Sequence, residues 1–169
     1  ASALHMLEEH GRELEAARLG ISWYPDDLGN RAEEVSALAA LGRRKEVERV
    51  IQSCLEVVSV GEYDVVDVML TAARELRAHG YREDSIRMAG RAVEWLEDRS
   101  GAEGSPRALR EDLGEALYRA ERWEEAREVF RERTAGEVED VGNLGRLGTL
   151  AARAGEAQAA RCCWRWRWR

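Results

Sequence analysis

A pattern that returns after 34 residues constrains this chain more than any other feature. Leu113-Gly114 reappears as Leu147-Gly148, Ala126 as Ala160, and Phe130 as Trp164, each at the same 34-residue step. A chain with such a period is built from similar supersecondary units that bury their faces on one another. The kinds of residue that recur are informative too. A small residue on one helix lets the next approach closely, an alanine suits a helix crossing, and a large residue fills the contact with the following unit.

Apolar spacing between the recurring residues is helical. Val35, Leu38 and Leu41 recur at three-residue steps, and Val47, Val50, Ile51, Cys54 and Leu55 form a second stripe. Gly42 and Arg43-Arg44-Lys45 separate the two stripes, where one helix ends and another begins. The same helix–turn–helix unit is read at Val68 to His79 and Glu83 to Asp98, at Ala108 to Ala120 and Trp123 to Thr134, and from Val141 to Ala154 and onward past Gly155. Breaks fall at Gly20–Asn30, around Gly61, at Ser100–Pro106 and at Gly136–Gly142. Ala, Leu, Glu and Arg dominate, there are only two prolines, and no alternating strand pattern of useful length appears before the final tail. The expected fold is all-α, with short turns between antiparallel neighbours.

These residues resemble the tetratricopeptide repeat family. Upstream copies are more degenerate. Ala73, Leu76, Gly80, Ser85, Ala89 and Ala92 follow the scheme with Ser85 in place of the usual alanine. Val35, Leu38, Gly42, Val47, Ile51 and Cys54 follow it more loosely, with valines at 35 and 47 where small residues are expected. Spacing stretches to 38 and then 41 residues between the earlier copies. The resemblance spans residues 29–164 and implies a right-handed superhelix of four antiparallel helical hairpins at about 29–58, 64–99, 107–135 and 141–164. Residues 1–28 are expected to hold one N-terminal helix, a remnant of a preceding repeat, followed by a linker. Ala1 to Met6 is read as partly a cloning scar, with Met6 an initiator. Residues 165–169 form an atypical Trp/Arg tail.

The resemblance also implies a function: a protein or peptide partner bound in the concave groove lined by the first helix of each hairpin. On the motif register the groove-facing residues are Arg74, Arg77, Glu111, Glu115, Tyr118, Arg119, Thr149 and Arg153. Acids, guanidiniums and a tyrosine suit an extended peptide carrying both charges, because arginine pairs carboxylates bidentately and tyrosine offers a rigid contact surface. Carboxylate-clamp adaptors of the family use lysines and asparagines. Here the one lysine, Lys45, and the two asparagines, Asn30 and Asn143, stand outside suitable positions. Self-association through exposed repeat ends is the alternative reading.

Other chemistry is weak. His5, His10 and His79 are scattered along the chain, with the first two on a single expected helix, so no metal site is assigned. Cys54 sits where a small core residue belongs, and Cys162-Cys163 lacks a second pair. Gly142, Gly145 and Gly148 mimic a phosphate loop, but no strand precedes them. Glu124-Glu125 and Glu137 to Asp140 read as solvated faces or linker. No enzyme activity and no cofactor are expected. A net charge of −7 opposes nucleic-acid binding, and no stretch nears the ~20 apolar residues of a membrane span. Few cysteines and no secretory pattern suggest a reducing, cytoplasmic setting. Arginine in place of lysine reads as the codon bias of a GC-rich genome. Because a repeat needs neighbours, and because many bacterial regulators and kinases carry such arrays, the resemblance implies a piece of a larger bacterial protein. Trp164 to Arg169 alternates in steps that no helix face can use, and is read as a frameshifted or artificial end, with hydrophobic capping of the array as the alternative.

Overall fold

A computed structural model describes residues 2–57, 63–100, 107–134 and 141–155, with side chains at 2, 100, 107–111, 133–134 and 141–144 outside the description. Nine α-helices and no strand occur among the described residues: α1 (Ser2–Met6), α2 (His10–Trp23), α3 (Leu28–Ala40), α4 (Arg44–Cys54), α5 (Val65–Ala78), α6 (Arg82–Ser100), α7 (Arg107–Arg119), α8 (Trp123–Thr134) and α9 (Val141–Arg153). The all-α expectation is met. Every helix packs on its successor, and α3 also packs on α5 across the intervening α4.

One turn geometry links the helices of each unit. Gly42 has φ +70° and donates its N–H to Ala39 O, while the Arg43 N–H reaches back to Leu38 O at 2.9 Å. This is a Schellman cap, which satisfies carbonyls that the helix end leaves open. It recurs with Gly80 and Tyr81 after α5, and with Glu121 and Arg122 after α7. Gly155 takes the same left-handed backbone after α9.

The surprise lies at the start of the chain. Glu8 is also left-handed, with φ +58°, and donates to His5 O while Glu9 N–H reaches Leu4 O. Residues 1–28 therefore hold two helices joined by the same cap, not the single helix expected from Leu4, Leu7, Leu14 and Ala17. The physical reason is backbone conformation: a left-handed residue ends α1 although no Gly or Pro announces it in sequence. Left-handed positions now run Glu8, Gly42, Gly80, Glu121 and Gly155, at steps of 34, 38, 41 and 34 residues.

Helix starts follow local chemistry. Asp64 accepts from Val66 N (2.7 Å) and Asp67 N (3.1 Å), and Asp67 accepts from Asp64 N at 2.8 Å. This reciprocal capping box begins α5 at Val65, three residues ahead of the helix read from apolar spacing. Asp27 caps α3 through Gly29 N at 2.8 Å.

The core runs from α2 to α9. Val35, Leu38, Ile51, Met69, Leu76, Met88, Leu96, Phe130 and Leu150 are all buried. Val35 and Val47, the two valines at expected small positions, are buried as well. Ser85 is accommodated by donating its Oγ to Ala73 O at 2.7 Å, so the buried hydroxyl is satisfied. A Cβ on Gly114 would lie 2.6 Å from Phe130 Cε1, which explains why a glycine faces α8 there. Cys54 is buried, and burial pushes its thiol pKa up against the partial relief of Arg31, so it is a core residue as expected. Gly142 to Gly148 lie within α9, a helix and not a loop. Cys162, Cys163, the Trp/Arg tail and the second helix expected after Gly155 fall outside the described residues.

Candidate functional site

Four of the eight residues assigned to the groove meet at one place. Arg77 is in the last turn of α5, Tyr118 and Arg119 end α7, and Arg153 ends α9. All four line a cavity of about 200 Å³ together with Ser85 and Trp123. Three helices separated by some 40 residues in sequence therefore contribute one wall, at the ends where the caps turn the chain. Cations at helix C-termini are also favourable to the helices themselves.

Trp123, the first residue of α8, carries no functional mark in the repeat register. It is the missing centre of the site. Tyr118 meets it edge-on with ring centroids 5.4 Å apart, and the Arg153 guanidinium lies over its ring at 4.5 Å. Such stacking fixes both polar tips without consuming their hydrogen-bonding groups. A signal was available: Trp123 directly follows the Glu121-Arg122 turn, three residues ahead of the recurrent Ala126.

The guanidiniums are less free than the motif register suggests, which corrects the picture of an open wall. Arg77 donates to Glu121 at 2.6 Å, and Arg82 pairs with the same carboxylate. Burial resists ionisation of Glu121, but its bonds and charge contacts with Arg77 and Arg82 prevail and hold its pKa below the usual carboxylate value. Arg119 pairs with Glu115 at 2.6 Å, and Arg146 of α9 pairs with that carboxylate from the other side. The physical reason is that long side chains on adjoining helices reach opposite charges on their neighbours. One donor is left over: Arg119 Nε is buried without a hydrogen-bond partner among the described residues.

The remaining assigned residues lie elsewhere or turn inward. Thr149 donates to Gly145 O on its own helix at 3.0 Å. Glu111 is on α7, with its side chain outside the described residues. Arg74 pairs with Glu75 at 3.0 Å and lines a second, larger cavity of about 290 Å³ between α1, α2, α3 and α5.

That second cavity overturns the reading of the histidines as scattered. His5 Nδ1 and His10 Nδ1 each lie 3.1 Å from Glu13 Oε2, and Glu13 is fully buried. His5 and His10 ring centroids are 5.1 Å apart, and His79 meets His10 edge-on at 5.6 Å. The cap at Glu8 turns α1 back onto α2 and makes this meeting possible.

The fold and these two cavities define a class, an all-helical protein of capped helix pairs with polar, partly aromatic clefts between them. Compared with known proteins, the chain matches no family model and no curated protein.

Proposed function

We propose that this chain is a protein–protein interaction scaffold of the tetratricopeptide type, which takes an extended peptide segment at the cleft formed by α5, α7, α8 and α9. The observation that carries the reading is the convergence of Arg77, Tyr118, Arg119 and Arg153 around Trp123. The Tyr118 and Trp123 rings, with Arg153 stacked on the tryptophan and Arg77 and Arg119 held by carboxylates, offer a rigid apolar seat beside a cationic rim, which suits a segment with an acidic residue next to an apolar one. Glu115 and Glu121 hold the arginines in place.

The test is selection of binders from a random peptide library on the intact chain, followed by affinity measurement with chosen variants. Arg153→Glu is expected to weaken the selected peptides at least tenfold while Tm stays nearly constant, because Arg153 is exposed. Equal affinity for the variant and the parent would reject this cleft.

A second reading, self-association, has its own support. Met6, Leu7, Leu19, Trp23 and Tyr24 are large apolar residues exposed on α1, α2 and the adjoining turns. Mass that rises with concentration, and falls back on Trp23→Ser, is the outcome that reading requires; a strict monomer at high concentration would remove it.

A further inference from the structure

We propose that His5, His10 and Glu13 form a binding site for a divalent transition-metal ion of the zinc class, at the edge of the cavity between α1, α2, α3 and α5. The chain has only three histidines, and the fold brings all of them to this one spot from α1, α2 and the C-terminal cap of α5; the site requires His5, which lies in the Ala1–Met6 stretch read above as partly a cloning scar. His5, His10 and Glu13 each offer a ligand atom, and those atoms all lie within 4.8 Å of one another.

The distances fit coordination. Tetrahedral zinc with bonds of about 2.0–2.1 Å separates its ligand atoms by about 3.3 Å. Both imidazole Nδ1 atoms stand 3.1 Å from Glu13 Oε2, so small movements would place an ion among them. Two imidazoles and one carboxylate are the donor set that a borderline ion such as Zn²⁺ accepts, whereas Mg²⁺ favours oxygen alone.

A second contact would orient one of the three ligands. His5 Nε2 lies 3.4 Å from Glu75 Oε2, and Glu75 is itself buried and held by Arg74 at 3.0 Å. With Nδ1 on the metal, Nε2–H donates to Glu75, which is the carboxylate–histidine–metal arrangement that fixes tautomer and ring orientation. His5 and Glu13 both line the cavity. An ion there therefore borders open space, where a water or a ligand oxygen completes the coordination.

The experiment uses the full chain without any added histidine tag. Zn²⁺ is titrated by calorimetry, and Co²⁺ serves as a spectroscopic substitute. One ion per chain is expected, with micromolar or tighter affinity, a Tm that rises with zinc, and no response to Mg²⁺. Glu13→Gln keeps the size and hydrogen-bonding capacity of the buried group and is expected to remove saturable binding, as is His10→Ala. Glu75→Gln should weaken it about 10- to 100-fold. A Cys162→Ser/Cys163→Ser variant should bind as the parent does, and the Co²⁺ spectrum should lack a thiolate charge-transfer band. Absence of saturable binding would overturn the proposal and leave a hydrogen-bonded His–Glu cluster only. So would binding that survives Glu13→Gln, or binding that disappears with the two cysteines.

Discussion

Phe130 presses its ring against Gly114 so closely that a methyl group there would displace it. Both residues are buried, in the same apolar core as Ala116, Leu117 and Ala126. Gly114→Ala is therefore expected to destabilise the fold by about 1–3 kcal/mol, as overpacking does, in spite of the better helix propensity of alanine. Thermal unfolding of the single variant checks this, and an unchanged or raised Tm would show that α7 and α8 can separate freely. The Leu-Gly recurrence made this contact legible in sequence. Glu8 was not legible, because a glutamate in left-handed backbone carries no compositional mark. Glycine avoids the Cβ clash that costs other residues roughly 1–2 kcal/mol in this conformation. Glu8 is exposed, and Glu8→Gly is expected to stabilise the chain by up to about 1 kcal/mol, read as a higher denaturant midpoint. A lower midpoint would mean that the cap owes its shape to the glutamate side chain.

Regular apolar stripes mark the bodies of the helices in the sequence, whereas the helix ends depend on caps that the stripes do not show. The box that starts α5 uses Asp67 where the common pattern has Glu or Gln, so its start was placed at Val68 instead of Val65. Asp64→Ala removes two accepted hydrogen bonds and is expected to cost about 1 kcal/mol, with fraying of the first turn of α5 visible by amide exchange. No faster exchange at Val66 and Asp67 would count against the box. The same limit hid the histidine cluster. Apolar spacing carried a helix from Leu4 to Ala17, and on an unbroken helix residues five apart do not share a face. Only the reversal after α1 brings His5 onto His10 and Glu13. Arg77, Tyr118, Arg119 and Arg153 share two places in the register: the first two stand three residues before their caps, the last two stand two residues before theirs. Their ion pairs were not legible in sequence, since pairing depends on which side chain of the neighbouring helix comes within reach.

At the scale of the whole molecule, arginines tie successive helix pairs together. Arg44 meets Asp84 at 2.7 Å, Arg91 meets Glu48 at 2.8 Å, and Arg122 spans from Glu125 to Glu97. Whatever favours arginine over lysine in this chain, the positions of these arginines follow from the carboxylates within their reach. The bond from Arg44, assisted by Arg87, holds Asp84 below its ordinary pKa, and the Arg77 and Arg82 contacts overcome burial to do the same for Glu121. A depressed carboxylate stabilises the fold above its unfolded pKa, and that contribution is lost as pH falls through the folded value. Asp67 acts in the opposite sense, because burial raises its pKa. With more depressed groups than raised ones, Tm is expected to fall as pH drops below about 4.5, and added salt should shrink the effect at the exposed pairs. A Tm that is flat from neutrality to pH 3 would show that these bridges add nothing to stability.

The proposed peptide site lies where α5, α7, α8 and α9 meet. Hydrogen–deuterium exchange of the intact chain, with and without a library-selected peptide, tests it most directly. Slower exchange is expected at the C-terminal turns of α5, α7 and α9 and at the start of α8, around Arg77, Tyr118, Trp123 and Arg153. Protection confined to α1 and α2, or none at any peptide concentration, would contradict the account.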